Sequence, residues 1–345
     1  MRQPSTQAAI RQPASPGRTC AALRALAALG ASLVGTLATI DTARAADAWP
    51  VRPIRLIVTL APGGPIDQTA RTMAPRLSEL LGQSVLIENR PGGNGSIGAD
   101  LVAHAPADGY TLLFNVIHLS VLPSLGGKLT YDIERDFAPI SLAAIYPIIL
   151  VARQGSGITT VAQLIARARA EPGRLSFGHS GYGGGTHLAG ELFKMQAGVD
   201  LLQVPFKGSA PAMAALLGDQ TDLMFSDGPT AMPHVRSGRV ISIAIASPER
   251  SPLLPSLPTV IEAGLPGFDA YSWGGIAAPA ATPPEIVRRL NTEVVRTLRD
   301  PTIRERLLQI GAEPRPGTPA EFASMLRAEI VKWGKVVKEA NIRIE

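Results

Sequence analysis

Glycine carries the strongest chemical signal in this chain. Gly93-Asn94-Gly95-Ser96-Ile97-Gly98 follows an apolar run and opens a helical pattern, the order in which a dinucleotide loop sets pyrophosphate on a helix N-terminus. That use also needs a carboxylate about 20 residues further on to hold a ribose. Phe114-Asn115-Val116 stands there instead, and Arg90-Pro91 is an awkward entry to a tight phosphate turn. No nucleotide is expected, and no other cofactor.

Gly178-His179-Ser180-Gly181-Tyr182 approaches the nucleophile elbow of a serine hydrolase but ends in Tyr182, where close helix packing demands glycine. The histidines are His104, His118, His179, His187 and His234. No pair has the i, i+4 spacing of a helical metal site or a carboxylate placed to complete three ligands. Loop or capping roles are expected for them, and no metal. Without a nucleophile and a base in reach, the chain is read as a binding protein and not an enzyme. An extracytoplasmic hydrolase is the weaker alternative.

Gly63-Gly64 and Gly183-Gly184 each fall between a strand pattern and a helix pattern, and Pro205-Phe206-Lys207-Gly208-Ser209 precedes a third helix. Bare backbone at a helix N-terminus offers N–H groups and a positive dipole end to an anion. Three such loops on one cleft neutralise a carboxylate without arginine. Gly63, Gly64, Ser180, Gly181, Gly183 and Gly184 are the expected N–H or hydroxyl donors. Asp67 and Asp227 are read first as helix caps, and second as holders of water or of a ligand amine or hydroxyl.

The elements that must position these loops follow an α/β alternation. Strands are expected at 54–60, 85–88, 111–116, 175–177, 202–205, 223–225 and 240–246. Amphipathic helices are expected around Ile66 to Leu80, 161–170, Leu188 to Met195 and from Ser209. Two more carry Ile286, Leu290, Val294 and Leu298, and Phe322, Met325, Leu326, Ile330, Trp333 and Val337. The pattern restarts after Leu150, so two lobes are expected, joined by crossings at 137–153 and 271–279. Each lobe is a mostly parallel sheet flanked by helices. Lobe one is 46–148 plus 272–345 and lobe two is 149–271, with ligand in the cleft that their strand ends share.

Residues 1–45 read as a signal peptide. Arg2, Arg11 and Arg18 precede a mostly apolar stretch at 21–40, and Ala43-Arg44-Ala45 fits the cleavage pattern. Arg24 and the many alanines argue against a membrane span, and Cys20 follows no lipid-attachment pattern. The expected location is the periplasm. The whole chain has 33 Lys+Arg and 28 Asp+Glu; five arginines and one acid belong to the leader, which leaves 28 basic and 27 acidic groups. The remaining charge is close to neutral, so no nucleic-acid partner is expected. The only cysteine leaves with the leader. About 300 remaining residues suit two domains of ordinary size.

An ordered set of motifs resembles the substrate-binding proteins of tripartite tricarboxylate transporters, the Bug family. The markers are Ala61-Pro62-Gly63-Gly64-Pro65-Ile66-Asp67, Glu88-Asn89-Arg90-Pro91-Gly92-Gly93 and Pro106-Ala107-Asp108-Gly109-Tyr110-Thr111. Others are His187-Leu188, Val204-Pro205-Phe206-Lys207-Gly208-Ser209, Pro258-Thr259 and Glu262-Ala263-Gly264. The resemblance implies a type II periplasmic-binding-protein fold. It implies capture of a small carboxylate (a di- or tricarboxylate, an amino acid or an aromatic acid) by the loops 63–67 and 180–186, partly through water. Thr186, Gly208 and Ser209 complete the expected site. A monomer that closes on its ligand and delivers it to the membrane components of such a transporter is implied; a ligand sensor for a signalling partner is the alternative. The chain departs from the family at Ile66, Gly184 and Ser226-Asp227, all beside the expected pocket.

Overall fold

The β-branched run Ile54–Val58 forms strand β1, and Ile54, Leu56, Ile57 and Val58 are almost wholly removed from solvent. Burial on both faces is what a parallel strand covered by helices requires. The computed structural model describes residues 49–126 and 128–342. The leader, its cleavage point after Ala45 and Cys20 lie outside the described residues. From Pro50 onward the chain forms one body.

The elements after β1 are α1 (Pro65–Leu81), β2 (Val85–Asn89), α2 (Ser96–Ala103), β3 (Thr111–Val116), the one-turn α3 (Ile117–Val121) and β4 (Phe137–Arg153). There follow α4 (Val161–Ala170), β5 (Ser176–His179), α5 (Gly185–Ala197), β6 (Leu202–Pro205), α6 (Ser209–Leu217), β7 (Leu223–Asp227) and α7 (Gly228–Arg236). The chain ends with β8 (Val240–Ile245), β9 (Tyr271–Pro279), α8 (Pro284–Arg299), α9 (Pro301–Gln309), β10 (Glu313–Pro314) and α10 (Pro319–Glu339). α1 buries Ile66, Ala70, Met73, Leu77 and Leu81 on one face and ends at Gly82 in the left-handed region, φ 71°. α8 buries Ile286, Leu290, Val294 and Leu298 in the same way.

The strands run in the order β2-β1-β3-β9-β4-β7-β5-β6, with β8 and β10 also paired to β4. β2, β1 and β3 are parallel to one another, as are β7, β5 and β6. The sheet is mixed, because β9 and β4 between these trios are antiparallel to their neighbours.

The segments expected as crossings are thus themselves long strands. β4 changes partners part-way: through Pro147 it pairs with β9, from Ile148 with β7 and from Ile149 also with β8. Proline lacks the N–H that a continuing ladder needs, and Pro147 sits at the change. Pro139 likewise sits at a break in register against β9. β4 thereby sets Tyr146 opposite Ser272 and Ile148 opposite Asp227.

Candidate functional site

A cavity of about 100 Å³ lies at the carboxyl ends of the parallel strands. Leu60 follows β1, Val116 ends β3, Ser180 follows β5, Ser209 follows β6 and Asp227 ends β7, and all five line it. Its apolar wall includes Ile66, Ile117 and Trp273, and its polar groups include His118, Thr186 and Ser272. This is where ligands sit on open α/β sheets, because the helices that follow the strands point their N-termini there.

Two of those helices begin with the same turn. Gly63 is left-handed at φ 81° and Gly64 is extended at φ −74°, the cap of α1; Gly183 at φ 73° and Gly184 at φ −79° repeat this before α5. Neither cap residue has a side chain to occupy the N–H groups of the first turn. In both turns the third helical residue accepts the N–H of the left-handed glycine. Asp67 Oδ2 takes Gly63 N at 2.9 Å, and His187 Nδ1 takes Gly183 N at 3.3 Å.

Asp67 also accepts from Arg71 Nε at 2.9 Å and Asn89 Nδ2 at 2.9 Å. Burial opposes its charge, but these hydrogen bonds outweigh burial and hold the carboxyl below its ordinary value. His187 donates through Nε2 to Gln203 Oε1 at 2.8 Å, so Nδ1 is the free acceptor. Its ring centroid lies 4.5 Å from that of His179, the planes tilted by 38°, and His179 Nδ1 accepts Gly181 N at 3.3 Å. Burial lowers His187 to about 4 and, with the nearby His187, lowers His179 to about 3. Both rings are therefore neutral at ordinary pH.

Ser180 and Thr186 share a hydroxyl hydrogen bond of 2.7 Å, and Ser180 N donates to Thr186 Oγ1 at 3.0 Å. Asp227 caps α7 by accepting Thr230 N at 3.2 Å, and it also takes the Ser209 hydroxyl at the start of α6. Tyr146 donates to Thr69 Oγ1 at 2.8 Å. A Cβ built on Gly185 would stand 2.2 Å from Ser272 Oγ, and one on Gly184 would stand 3.1 Å from His118 Nε2. His118 Nδ1 is buried without a partner, and burial lowers this imidazole to about 4. Among the described residues, Asp227 is the only carboxylate on the cavity wall, and no lysine or arginine lines it.

Of the residues expected from sequence, Ser180, Thr186, Ser209 and Asp227 line the cavity. Gly63, Gly64, Asp67, Gly181, Gly183, Gly184 and Gly208 belong to the loops around it and do not line it. The N–H groups of Gly63, Gly181, Gly183 and Gly208 are taken by Asp67, His179, His187 and Ser180 O. Tyr146, Ser272, Trp273 and His118 line the cavity without having been singled out as ligand contacts. Their signal is the pairing of β4 with β9 and the turn after β3, neither of which is a local motif.

The G-x-G-x-x-G loop has a packing cause. A Cβ on Gly98 would lie 2.9 Å from Arg90 O and 3.0 Å from Thr59 Cγ2, so glycine lets α2 approach β1. Among the described residues no group of three or more His, Cys, Asp or Glu is placed to hold a metal, and no helix is long and apolar enough to cross a membrane. A larger cavity of about 260 Å³ opens beside Tyr271, Glu313 and Arg315. Arg315 there already lies between Glu249 at 3.8 Å and Glu313 at 3.7 Å, so it is a poorer anion site.

The fold is that of a solute receptor. Residues 69–342 match the tripartite tricarboxylate transporter family receptor model, and the chain belongs to that family, one of receptors and not enzymes. The chain is similar to the R. palustris protein Rpa4515 solved with adipate, at 40% identity and TM-score 0.78 over 86% of this chain and 99% of that one. It is similar to the periplasmic binding protein BugD, at 34% identity and TM-score 0.75 over 86% and 100%. It is also similar to MatC from Rhodopseudomonas palustris with bound malate, at 36% identity and TM-score 0.73 over 84% and 100%.

Proposed function

We propose that this chain is a periplasmic receptor that holds the carboxylate of a small acid at the N-terminus of α5. One observation carries the reading. Among the described residues no cationic side chain lines the cavity, yet α5 opens on it through Gly185 and Thr186 with no acidic residue in its first turn. The backbone N–H groups of those two residues and the hydroxyls of Ser180 and Thr186 are the donors. A charge-assisted hydrogen bond contributes about 1.5–3 kcal/mol, so two or three contribute about 3–9 kcal/mol towards binding without a salt bridge. The adipate and malate in the similar structures support this ligand class.

Gly64 and Gly184 keep the helix starts bare, and Gly208 does the same before α6. Gly63, Gly181 and Gly183 hold the loop shapes that aim the donors, with Asp67 as a cap. Lobes 46–148 plus 272–345 and 149–271 close on the ligand, and the change of partners in β4 at Pro147 lies next to that boundary. The closed monomer delivers its ligand to the membrane components of a tripartite tricarboxylate transporter, and the leader places it in the periplasm.

Native mass spectrometry of the exported protein, purified gently, tests the reading. The expected species begins at Ala46 and carries a small acid that is released chemically unchanged. Binding of the acid and of its neutral amide with equal affinity in calorimetry overturns the assignment, as does chemical conversion of the acid.

A further inference from the structure

We infer that His118 is a ligand contact, and that its neutral imidazole donates the Nε2 proton to the bound acid from the side of the cavity facing α5. This rests on the receptor reading above and adds a residue that meets the ligand from the β3 side.

His118 is the second residue of α3, directly after β3, and it lines the cavity. Its Nδ1 is buried and, among the described residues, has no hydrogen-bond partner. Buried polar atoms of side chains nearly always have one, so the exception needs a cause. Burial keeps the ring neutral at ordinary pH, and a neutral imidazole carries one N–H and one lone pair. Orphaned N–H groups are rarer in folded proteins than orphaned acceptors. The proton therefore belongs on Nε2, with the lone pair left at Nδ1.

Nε2 lies beside the start of α5. A Cβ built on Gly184 would stand 3.1 Å from it and 3.5 Å from Ser180 Oγ, so the imidazole and the hydroxyl flank one bare Cα. Gly184 is extended at φ −79°, a conformation open to any residue, so what glycine supplies there is room. The ring of His118 uses that room. β3 belongs to the parallel trio β2-β1-β3, whereas α5 follows β5 of the other trio, and β9 and β4 run between them. An acid that accepts from His118 and from the start of α5 links the two trios. An imidazole N–H does this without bringing a fixed charge into the cavity.

NMR of the exported protein labelled with ¹⁵N-histidine reads the tautomer and the contact together. Malate, adipate, glutamate and benzoate are screened by calorimetry, and the tightest binder serves as the probe. The His118 signals, assigned by their loss in His118→Gln, should show the proton on Nε2, and saturation with the probe should shift that proton downfield. His118→Phe keeps a ring without nitrogens and should weaken the probe about ten- to a hundredfold. His118→Gln sets an amide N–H close to the place of Nε2 and should recover most of the loss. Thermal melting checks that both variants fold, and the NMR reading on the wild type stands whether or not His118→Phe does. A proton on Nδ1, a His118 signal that the probe leaves unmoved, or a folded His118→Phe that binds like wild type overturns the inference while carboxylate binding stands. So does a His118→Gln as weak as His118→Phe. Failure of the wild type to bind any of the four acids overturns the receptor reading and this inference with it.

Discussion

His187 stands at the start of α5 where Asp67 stands at the start of α1. Each is the third residue of its helix, and each accepts the N–H of the left-handed glycine four positions earlier. The turns match, yet one acceptor is an anion and the other a neutral ring. The two helix ends are thus built alike but charged differently, and only the second retains its attraction for an outside anion.

His187→Asp should place a resident carboxylate at α5 and weaken binding of the acid about tenfold or more, since a charge at a helix end is worth about 1–2 kcal/mol. His187→Asn keeps a neutral acceptor and should stay within a few-fold of wild type. Titration calorimetry on both variants checks this. Equal losses in the two would show that the ring is needed for packing and that charge plays no part.

Gly185 and Ser272 bring α5 and β9 together. Gly185→Ala would set its Cβ 2.2 Å from Ser272 Oγ, a distance that forces the hydroxyl to swing away. Affinity should fall about tenfold, about 1.4 kcal/mol, and adding Ser272→Ala should recover most of it. A double variant as weak as the single one would place the damage elsewhere.

Acid should loosen the protein through His179 and His187. Their folded values, about 3 and about 4, lie below the ordinary imidazole value of 6.5 because both rings are buried. Between pH 6.5 and those values the unfolded chain binds protons that the folded chain does not, so stability falls as pH falls. The slope approaches ~1.4 kcal/mol per pH unit for each ring. It vanishes above pH 6.5, where both states are neutral, and below the folded values, where both are charged. Urea midpoints measured from pH 7.5 to 4 should trace this loss, and His187→Asn should flatten it. A wild-type midpoint that does not move across that range counts against buried neutral rings.

Glu329 on α10 ties two indoles together. Its Oε2 accepts Trp273 Nε1 at 3.0 Å and Trp333 Nε1 at 2.8 Å, and Lys332 Nζ lies 2.5 Å from its other oxygen. Glu329→Ala strands two buried N–H donors, each costing about 1–3 kcal/mol, so a loss of about 2–6 kcal/mol is expected. Glu329→Gln keeps an acceptor oxygen and should lose less. Chemical denaturation separates the two, and equal losses would point to the ion pair with Lys332 instead.

Local pattern was enough to read most elements. The runs at 54–58, 111–116 and 202–205, the helix that Gly82 ends and the glycine turns before α1 and α5 each announce themselves within a few residues. α7 was given no bounds of its own, although Asp227 was read as a helix cap; in the fold Pro229 sits in the first turn, where a missing N–H costs nothing, and Asp227 supplies the cap. Of the residues read from local motifs, Ser180, Thr186, Ser209 and Asp227 line the cavity. The site was not legible at Tyr146 and Ser272, which reach the cavity only through the pairing of two strands distant in sequence. His187 was expected in a loop or capping role, but its equivalence to Asp67 emerges only when the two turns are compared in three dimensions.

Trp273 lies on the cavity wall with its ring fully buried and its N–H held by Glu329. An indole so fixed has little freedom to relax around its excited state, so its emission reports the polarity of the space before it. Trp333, bound to the same carboxylate but absent from the wall, supplies a steady second signal. The receptor thus contains an optical gauge of cavity filling beside an internal standard. Trp333→Phe together with Trp49→Phe isolates the gauge, and occupancy can then be followed with no dye attached.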